Sequence, residues 1–313
     1  MTMASSRPFV SVVIPCRNEE DNVREITAAV NAQLEPLDVD WEIILIDNES
    51  TDRTVELARA LCEADKRIKL IVNTRNFGQL RSPVHAIFAG RGDVVIGLCA
   101  DFQDPPELLP QFIARWRAGV PIVLGARESE KTLWWKAILG RLYYNFVSRF
   151  ADVPAIPNAT GFGLYDRKVV DLIRSLNEPE PFYRSLLVET GYEIEVIKYG
   201  RPERRAGRSN NNFFNLVNFA LSGLTNSSRL LLRSPFFIGI ISILVSGLFC
   251  FVAVLSLMLG QSAGLIGLAA LVQFNFGMLF LFLGLIGDQI RLISERQRKM
   301  PLVVERERIN FDD

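Results

Sequence analysis

Apolar and polar positions alternate in a regular way along the first two hundred residues. "FVSVVIP" (9–15) is a short apolar run, and a polar helix is expected from about Asp21. "WEIILID" (41–47) is a second run; "STDRTVELARALCEAD" after it opens with capping residues and continues at helical spacing. "IKLIV" (68–72), "DVVIGL" (93–98) and "PIVLG" (121–125) are further apolar runs separated by helical stretches. Short apolar strands alternating with helices predict an α/β fold with a mostly parallel sheet covered on both faces. Ligands of such sheets bind beyond the carboxyl ends of the strands. The polar segments "PCRNEE", "DNESTD" and "ADFQDPPE" all fall there.

The pattern changes after Asn211. Phe213, Leu216, Val217, Ala220 and Leu224 share one helical face; Asn215, Asn218, Ser222 and Thr225 share another. This predicts an amphipathic helix in a membrane interface, with an ordinary surface helix as the alternative. From Pro235 to Gly287 no residue is charged. A helix needs ~20 apolar residues to cross the ~30 Å hydrocarbon layer. Two crossings are expected, at about 236–259 and 264–287, turning at "LGQSAG" (259–264). A buried helical hairpin is the competing reading. The expected divisions are 1–208 (α/β domain), 209–234 (amphipathic juxtamembrane helices), 235–287 (transmembrane hairpin) and 288–313 (C-terminal helix and tail). Lys198, Arg201, Arg204, Arg205, Arg208, Arg229 and Arg233 precede the hairpin, and Arg291, Arg296, Arg298 and Lys299 follow it. Basic flanks on both sides predict that both termini are cytoplasmic, at a bacterial inner membrane. The basic stripe also suits anionic lipid head groups.

Charge and composition narrow the chemistry. Thirty-five basic residues balance 35 acidic ones, so a whole-chain nucleic-acid footprint is absent. Cys16, Cys62, Cys99 and Cys250 form no C-x-x-C pair, which argues against a zinc site or a disulfide framework and fits a reduced cytosol. His85 is the only histidine, which argues against a histidine base or a multi-histidine metal site. No secretory signal is expected, because Arg7 and Pro8 interrupt a short polar lead. "QFIARW" (111–116) is close to a processive-synthase signature, but its spacing and place are wrong, and it is read as a chance match.

"SVVIPCRNEEDN", "IDNESTDRT", "RNFG", "ADFQDPPELL" and "RRAGRSN" occur in an order and spacing that resemble family 2 glycosyltransferases. The nearest resemblance is to the polyprenyl-phosphate branch, which includes dolichol-phosphate mannose synthases and bacterial undecaprenyl-phosphate sugar transferases. It runs from about Val10 to Asn210. It implies a GT-A nucleotide-sugar fold and inverting transfer of a sugar, from a UDP-sugar by preference, to polyprenyl phosphate on the cytoplasmic leaflet. Pro15, Arg17 and Glu19 would line the nucleotide base, with Arg17 where relatives usually carry an aromatic. Asp47 and Asn48 would contact base and ribose, where two aspartates are usual. Asp101 and Gln103 match metal and diphosphate ligands; Ala100 and Cys99 precede them on the nucleotide side, with Cys99 in place of an aspartate. Arg127 and Arg184 match positions linked to phosphate, and Arg204 and Asn210 match the ends of R-x-x-G-x-S-K, with asparagine for lysine. Asp101, Gln103, Arg127 and Arg204 are the implied catalytic set. "ATGFGLYDR" (159–167) departs too, with Gly161-Phe162-Gly163 where relatives often have Asp-Phe-Arg.

The implied chemistry brings a donor diphosphate against an acceptor phosphate. Two unit charges ~4 Å apart interact by about 4 kcal/mol at an effective dielectric near 20. A hard cation offsets this, and oxygen ligands select Mg²⁺ or Mn²⁺. Asp104 is expected to cap the helix after Pro105 and Pro106. A glycolipid synthase with a hydroxyl acceptor, or a silent homologue that binds nucleotide sugar, are the alternatives. A homo-oligomer, the sugar and the nucleotide base stay open.

Overall fold

The computed structural model describes residues 7–128, 156, 158–200, 251–252, 258, 263–298 and 301–311. In chain order the elements are β1 (Phe9–Cys16), α1 (Val23–Leu34), β2 (Asp40–Asp47), α2 (Thr54–Ala64), β3 (Ile68–Asn73), α3 (Gly78–Ala89), β4 (Val94–Gly97), a 3-10 turn (Pro106–Leu108), α4 (Leu109–Arg117), β5 (Ile122–Arg127), β6 (Ala159–Asp166), α5 (Arg167–Ser175), α6 (Tyr183–Glu189), β7 (Ile194–Tyr199), α7 (Ala263–Arg298) and β8 (Glu305–Ile309).

The strands form one sheet in the order β7-β5-β6-β4-β1-β2-β3-β8. β3, β2, β1 and β4 run parallel, as do β5 and β7; β6 is antiparallel to β4 and β5, and β8 is antiparallel to β3. The expected mostly parallel sheet is therefore present, with antiparallel β6 inserted in it and antiparallel β8 added at one edge. Successive side chains of a strand face opposite sides of a sheet. Val12, Ile14, Ile43, Leu45, Leu70 and Val72 accordingly pack in one cluster with α1, α2 and α4. Val13, Ile44, Ile46 and Ile71 pack in the other with α3, α5 and α6. Burial on both faces is why the strands read as continuous apolar runs.

β6 requires glycine where it passes β5. A Cβ on Gly163 would lie 2.6 Å from the Val123 carbonyl oxygen. Between the glycines, Phe162 packs on Phe112 and Tyr199, with ring centroids 4.8 and 5.6 Å away. The Gly-Phe-Gly departure is thus built into the sheet.

α7 is 36 residues long, about 54 Å at 1.5 Å per residue. Among the described residues no helix is long and apolar enough to cross a membrane, and the expected two-helix span is not seen. The amphipathic segment and most of the first expected crossing lie outside the described residues. The C-terminal segment, expected as helix and tail, ends in strand β8 on the far edge of the sheet.

Candidate active site

The carboxyl ends of the parallel strands share one edge, and the loops after β1, β2, β3 and β4 gather there. Two of these loops are latched together. Asn18, in the left-handed region at φ 57°, donates its amide N–H to Ser50 Oγ at 2.9 Å and accepts from Thr51 N at 2.8 Å. Glu19 N donates to Thr54 Oγ1 at 2.8 Å, and Arg53 Nε meets Glu20 Oε2 at 3.1 Å. Glu19 Oε2 accepts from Asn22 Nδ2 at 2.6 Å. Pro15 is half-buried and Arg17 exposed on the same loop.

Asp47 closes β2 and is 1% exposed. Its Oδ2 accepts from Ser50 N at 3.1 Å, while Oδ1 is buried without a hydrogen-bond partner. A buried acceptor of this kind is costly unless a donor fills it. Next to it, Asn48 faces the protein. Its Nδ2 donates to Asn76 Oδ1 (2.9 Å) and the Gly78 carbonyl (3.2 Å); its Oδ1 accepts from Phe77 N (2.9 Å) and Asn73 Nδ2 (3.2 Å). Asn48 therefore fastens the "RNFG" loop, using both ends of its amide.

The loop after β4 presents Asp101 and Gln103. Phe102 between them is held at φ 60° and is 7% exposed, part of the core. A bulky residue in the left-handed region is strained and persists only where the surroundings fix it. Anchoring Phe102 inward leaves Asp101 and Gln103 half-buried at the surface, with Gln103 N donating to Asp101 Oδ1 at 3.2 Å. Cys99 and Ala100 lead into this turn, Ala100 buried. Burial pushes the Cys99 thiol well up, and the charges of Asp104 and Asp101 add to it, so the thiol stays neutral.

Asp104 does not cap the following helix, as the sequence had led us to expect; the 3-10 turn has no side-chain cap. Its carboxylate is 0% exposed. Oδ1 accepts from Arg127 Nη2 (3.1 Å) and Tyr199 Oη (2.7 Å), and Oδ2 from Cys99 N (3.3 Å). Three donors replace water around the charge, which is what burial requires. Arg127 Nε also reaches Tyr199 Oη at 3.4 Å. Burial pushes the Tyr199 phenol up, and Asp104 adds to it. Arg184 donates to the Ala159 carbonyl at the start of β6. Arg204 and Asn210 lie outside the described residues.

The structure thus brings Asp47, Asn48, Glu19, Asp101 and Gln103 to one edge, and gives Arg127 a carboxylate partner. Tyr199 carried no signal in the sequence; it becomes visible only through β5–β7 pairing, which sets Arg127 opposite it. Among the described residues no group of three His, Cys, Asp or Glu side chains could hold a metal alone. A hard cation on Asp101 and Gln103 fits only if a ligand supplies further oxygens.

The profile of glycosyl transferase family 2 matches residues 11–173, just over half of the chain. The chain belongs to this family. The latched loops, Asp47 and the Asp101–Gln103 turn all fall within the matched part of this glycosyltransferase. It is 32% identical to an uncharacterised glycosyltransferase of Synechocystis sp. over 94% of this chain and 93% of the relative. It is 31% identical to the bactoprenol glucosyl transferase of Shigella phage SfV over 96% and 99% of the two chains. Glucosyl-3-phosphoglycerate synthase of Mycobacterium tuberculosis, solved with Mn²⁺, UDP and phosphoglyceric acid, aligns with a TM-score of 0.51 at 18% identity, covering 70% of this chain and 76% of that one. That likeness shows a common fold.

Proposed function

We propose that this glycosyltransferase moves a sugar, with inversion, from a nucleotide-sugar donor (a UDP-sugar by preference) to polyprenyl phosphate at the cytoplasmic leaflet of a bacterial inner membrane. The observation that carries the reading is the strand edge itself, where the buried Oδ1 of Asp47 lacks a donor and the Asp101–Gln103 turn is presented beside Phe102. A relative called bactoprenol glucosyl transferase, aligned over nearly its whole length, supports the acceptor class.

In this reading Asp47 accepts from the base or ribose, while Pro15, Arg17 and Glu19 border the base. Asp101 and Gln103 hold Mg²⁺ or Mn²⁺ together with the donor diphosphate. The cation, when bound, neutralises charge on the leaving diphosphate. Asp104 and Tyr199 orient Arg127 at the end of β5. The acceptor phosphate is already anionic near neutral pH, its second ionisation lying near 6 by analogy with phosphorylated side chains. It therefore needs a grip rather than a base. Arginine forks suit that task, and Arg204, with Arg184, is assigned to it. Membrane attachment is supported by the sequence of α7, uncharged from Ala263 to Gly287, and by the exposure of Leu265, Phe274, Phe276, Leu279 and Leu283 along it.

The test is transfer by the purified full-length protein from a panel of nucleotide sugars to undecaprenyl phosphate. One labelled lipid-phosphate sugar is expected. Transfer only to a hydroxyl lipid, or none from any donor, would reject the reading.

A further inference from the structure

The segment after α7 plays no part in that reading, yet where β8 begins it is fastened to the carboxyl end of β3, beside the proposed site. β8 begins seven residues after α7 ends and sets Ile309, Arg308, Glu307 and Glu305 opposite Leu70, Ile71, Val72 and Asn73. Just before it, the Val304 carbonyl accepts from Thr74 N at 2.9 Å and from Thr74 Oγ1 at 3.1 Å. The strand is held at both ends. Asn310 Nδ2 donates to the carbonyls of Cys62 (2.7 Å) and Ile68 (2.8 Å), and Glu305 meets His85 Nε2 at 2.6 Å.

Thr74 opens the "RNFG" loop. The residue before it, Asn73, donates to Asn48 Oδ1, and the loop itself closes on the two ends of the Asn48 amide. Asn48 directly follows Asp47. A path therefore runs from Val304 by hydrogen bonds to Thr74, along the chain to Asn73, and by the Asn73–Asn48 hydrogen bond to the residue beside the unpartnered carboxylate oxygen. Without β8, β3 would be an open sheet edge, and Thr74 would lose both bonds to Val304.

We propose that β8 is a positioning element of the donor site: it holds the "RNFG" loop against Asn48 and so couples nucleotide binding to the docking of the chain that leaves α7. The proposal rests on the strand edge being the nucleotide-sugar site. Coupling of this kind is reciprocal, so a bound nucleotide must also tighten β8.

Hydrogen exchange on the full-length protein tests it, with UDP plus MnCl₂ and separately GDP plus MnCl₂. Whichever nucleotide slows exchange at 47–52 and 74–78 is expected to slow it at 304–309 by about fivefold or more, the low end of typical coupling. Protection of the two loops with unchanged exchange at 304–309 overturns the proposal alone. Protection of neither loop by either nucleotide overturns the donor-site reading, and the proposal with it. In kinetics, Glu307→Pro, which puts a proline opposite Val72 in β8 and also removes the Glu307–Arg59 ion pair, should raise the donor KM about tenfold, equivalent to about 1.4 kcal/mol, with kcat and the lipid KM little changed, whereas Glu307→Gln, which loses only the ion pair, should not. Thr74→Val should shift the donor KM in the same direction and Thr74→Ser should not. A rise confined to the lipid KM would contradict the assignment.

Discussion

Asp104 and Arg127 form an ion pair of 3.1 Å in which the carboxylate side chain is 0% and the guanidinium side chain 21% exposed. The pair joins the loop after β4 to the end of β5, and Tyr199 extends it to β7. It also compensates the charge of Arg127, so the cation near the edge is a held group rather than an isolated one. The loop that carries Asp101 and Gln103 is thereby pinned from behind.

Removing Asp104 leaves the partly exposed Arg127 charge unpaired and takes the acceptor from Tyr199 Oη and Cys99 N. Asp104→Ala is expected to lower stability by roughly 3 kcal/mol, since the donors it leaves unmatched cost about 1–3 kcal/mol each when buried and Arg127 is partly solvated, and Tyr199→Phe by about 1.5–3 kcal/mol through loss of one bond to a charged acceptor. Urea midpoints of the purified variants check both. Equal, small losses would mean that Asp104 is solvated.

Asn48→Asp would install the second aspartate expected from the sequence resemblance and should nonetheless harm this protein. The carboxylate would place an oxygen against Asn76 Oδ1 and the Gly78 carbonyl, where Nδ2 now donates. Two unmatched acceptors should cost about 1–3 kcal/mol. Thermal melting of the variant is expected to fall by several degrees; a rise would show that the amide is not needed there.

Much of the fold could be read along the chain. The runs at 9–15, 41–47, 68–72, 93–98 and 121–125 became β1 to β5 within about two residues, because burial on both faces leaves an uninterrupted apolar signature. β8 gave no such signature. "ERERI" alternates charge with charge at a sheet edge, and its partner β3 lies more than two hundred residues earlier. The gathering of the strand ends that carry Asp47 and Asp101 was legible, and the structure places both at one edge. The work of Asn48 and Asp104 was not, since each is defined mainly by partners distant in sequence, the loop after β3 for Asn48 and the ends of β5 and β7 for Asp104.

Acid should loosen the latch between the first two loops. Burial works against the Asp52 charge, but hydrogen bonds from the Thr54 hydroxyl and amide and from the Glu20 amide outweigh it, so its carboxyl sits below the ordinary range. A folded-state value lower than the unfolded one, near 3.9, gives stability that is present above that unfolded value and is lost as pH falls through the folded one. Urea midpoints between pH 5 and pH 2.5 should therefore fall more steeply for the wild type than for Asp52→Asn. Parallel curves would exclude this contribution.

Cys99 should behave as a silent thiol. Its side chain is only partly exposed; desolvation and the charges of Asp104 and Asp101 raise its pKa, and the thiolate is the reactive form. Iodoacetamide at pH 8 is expected to label Cys99 slowly in the folded protein and readily in urea. Rapid labelling in the folded state would show that the thiol is not held protonated.

The metal dependence of transfer tests the central claim most directly. Sugar transfer to undecaprenyl phosphate is measured against Mn²⁺ and Mg²⁺ concentration for the wild type, Asp101→Asn and Cys99→Ala. The account predicts transfer that EDTA abolishes and a divalent cation restores, its loss by at least a hundredfold in a folded Asp101→Asn, on the order of removing one group that stabilises transition-state charge, and a milder effect of Cys99→Ala. Metal-independent transfer, or an active Asp101→Asn beside a dead Cys99→Ala, would contradict it.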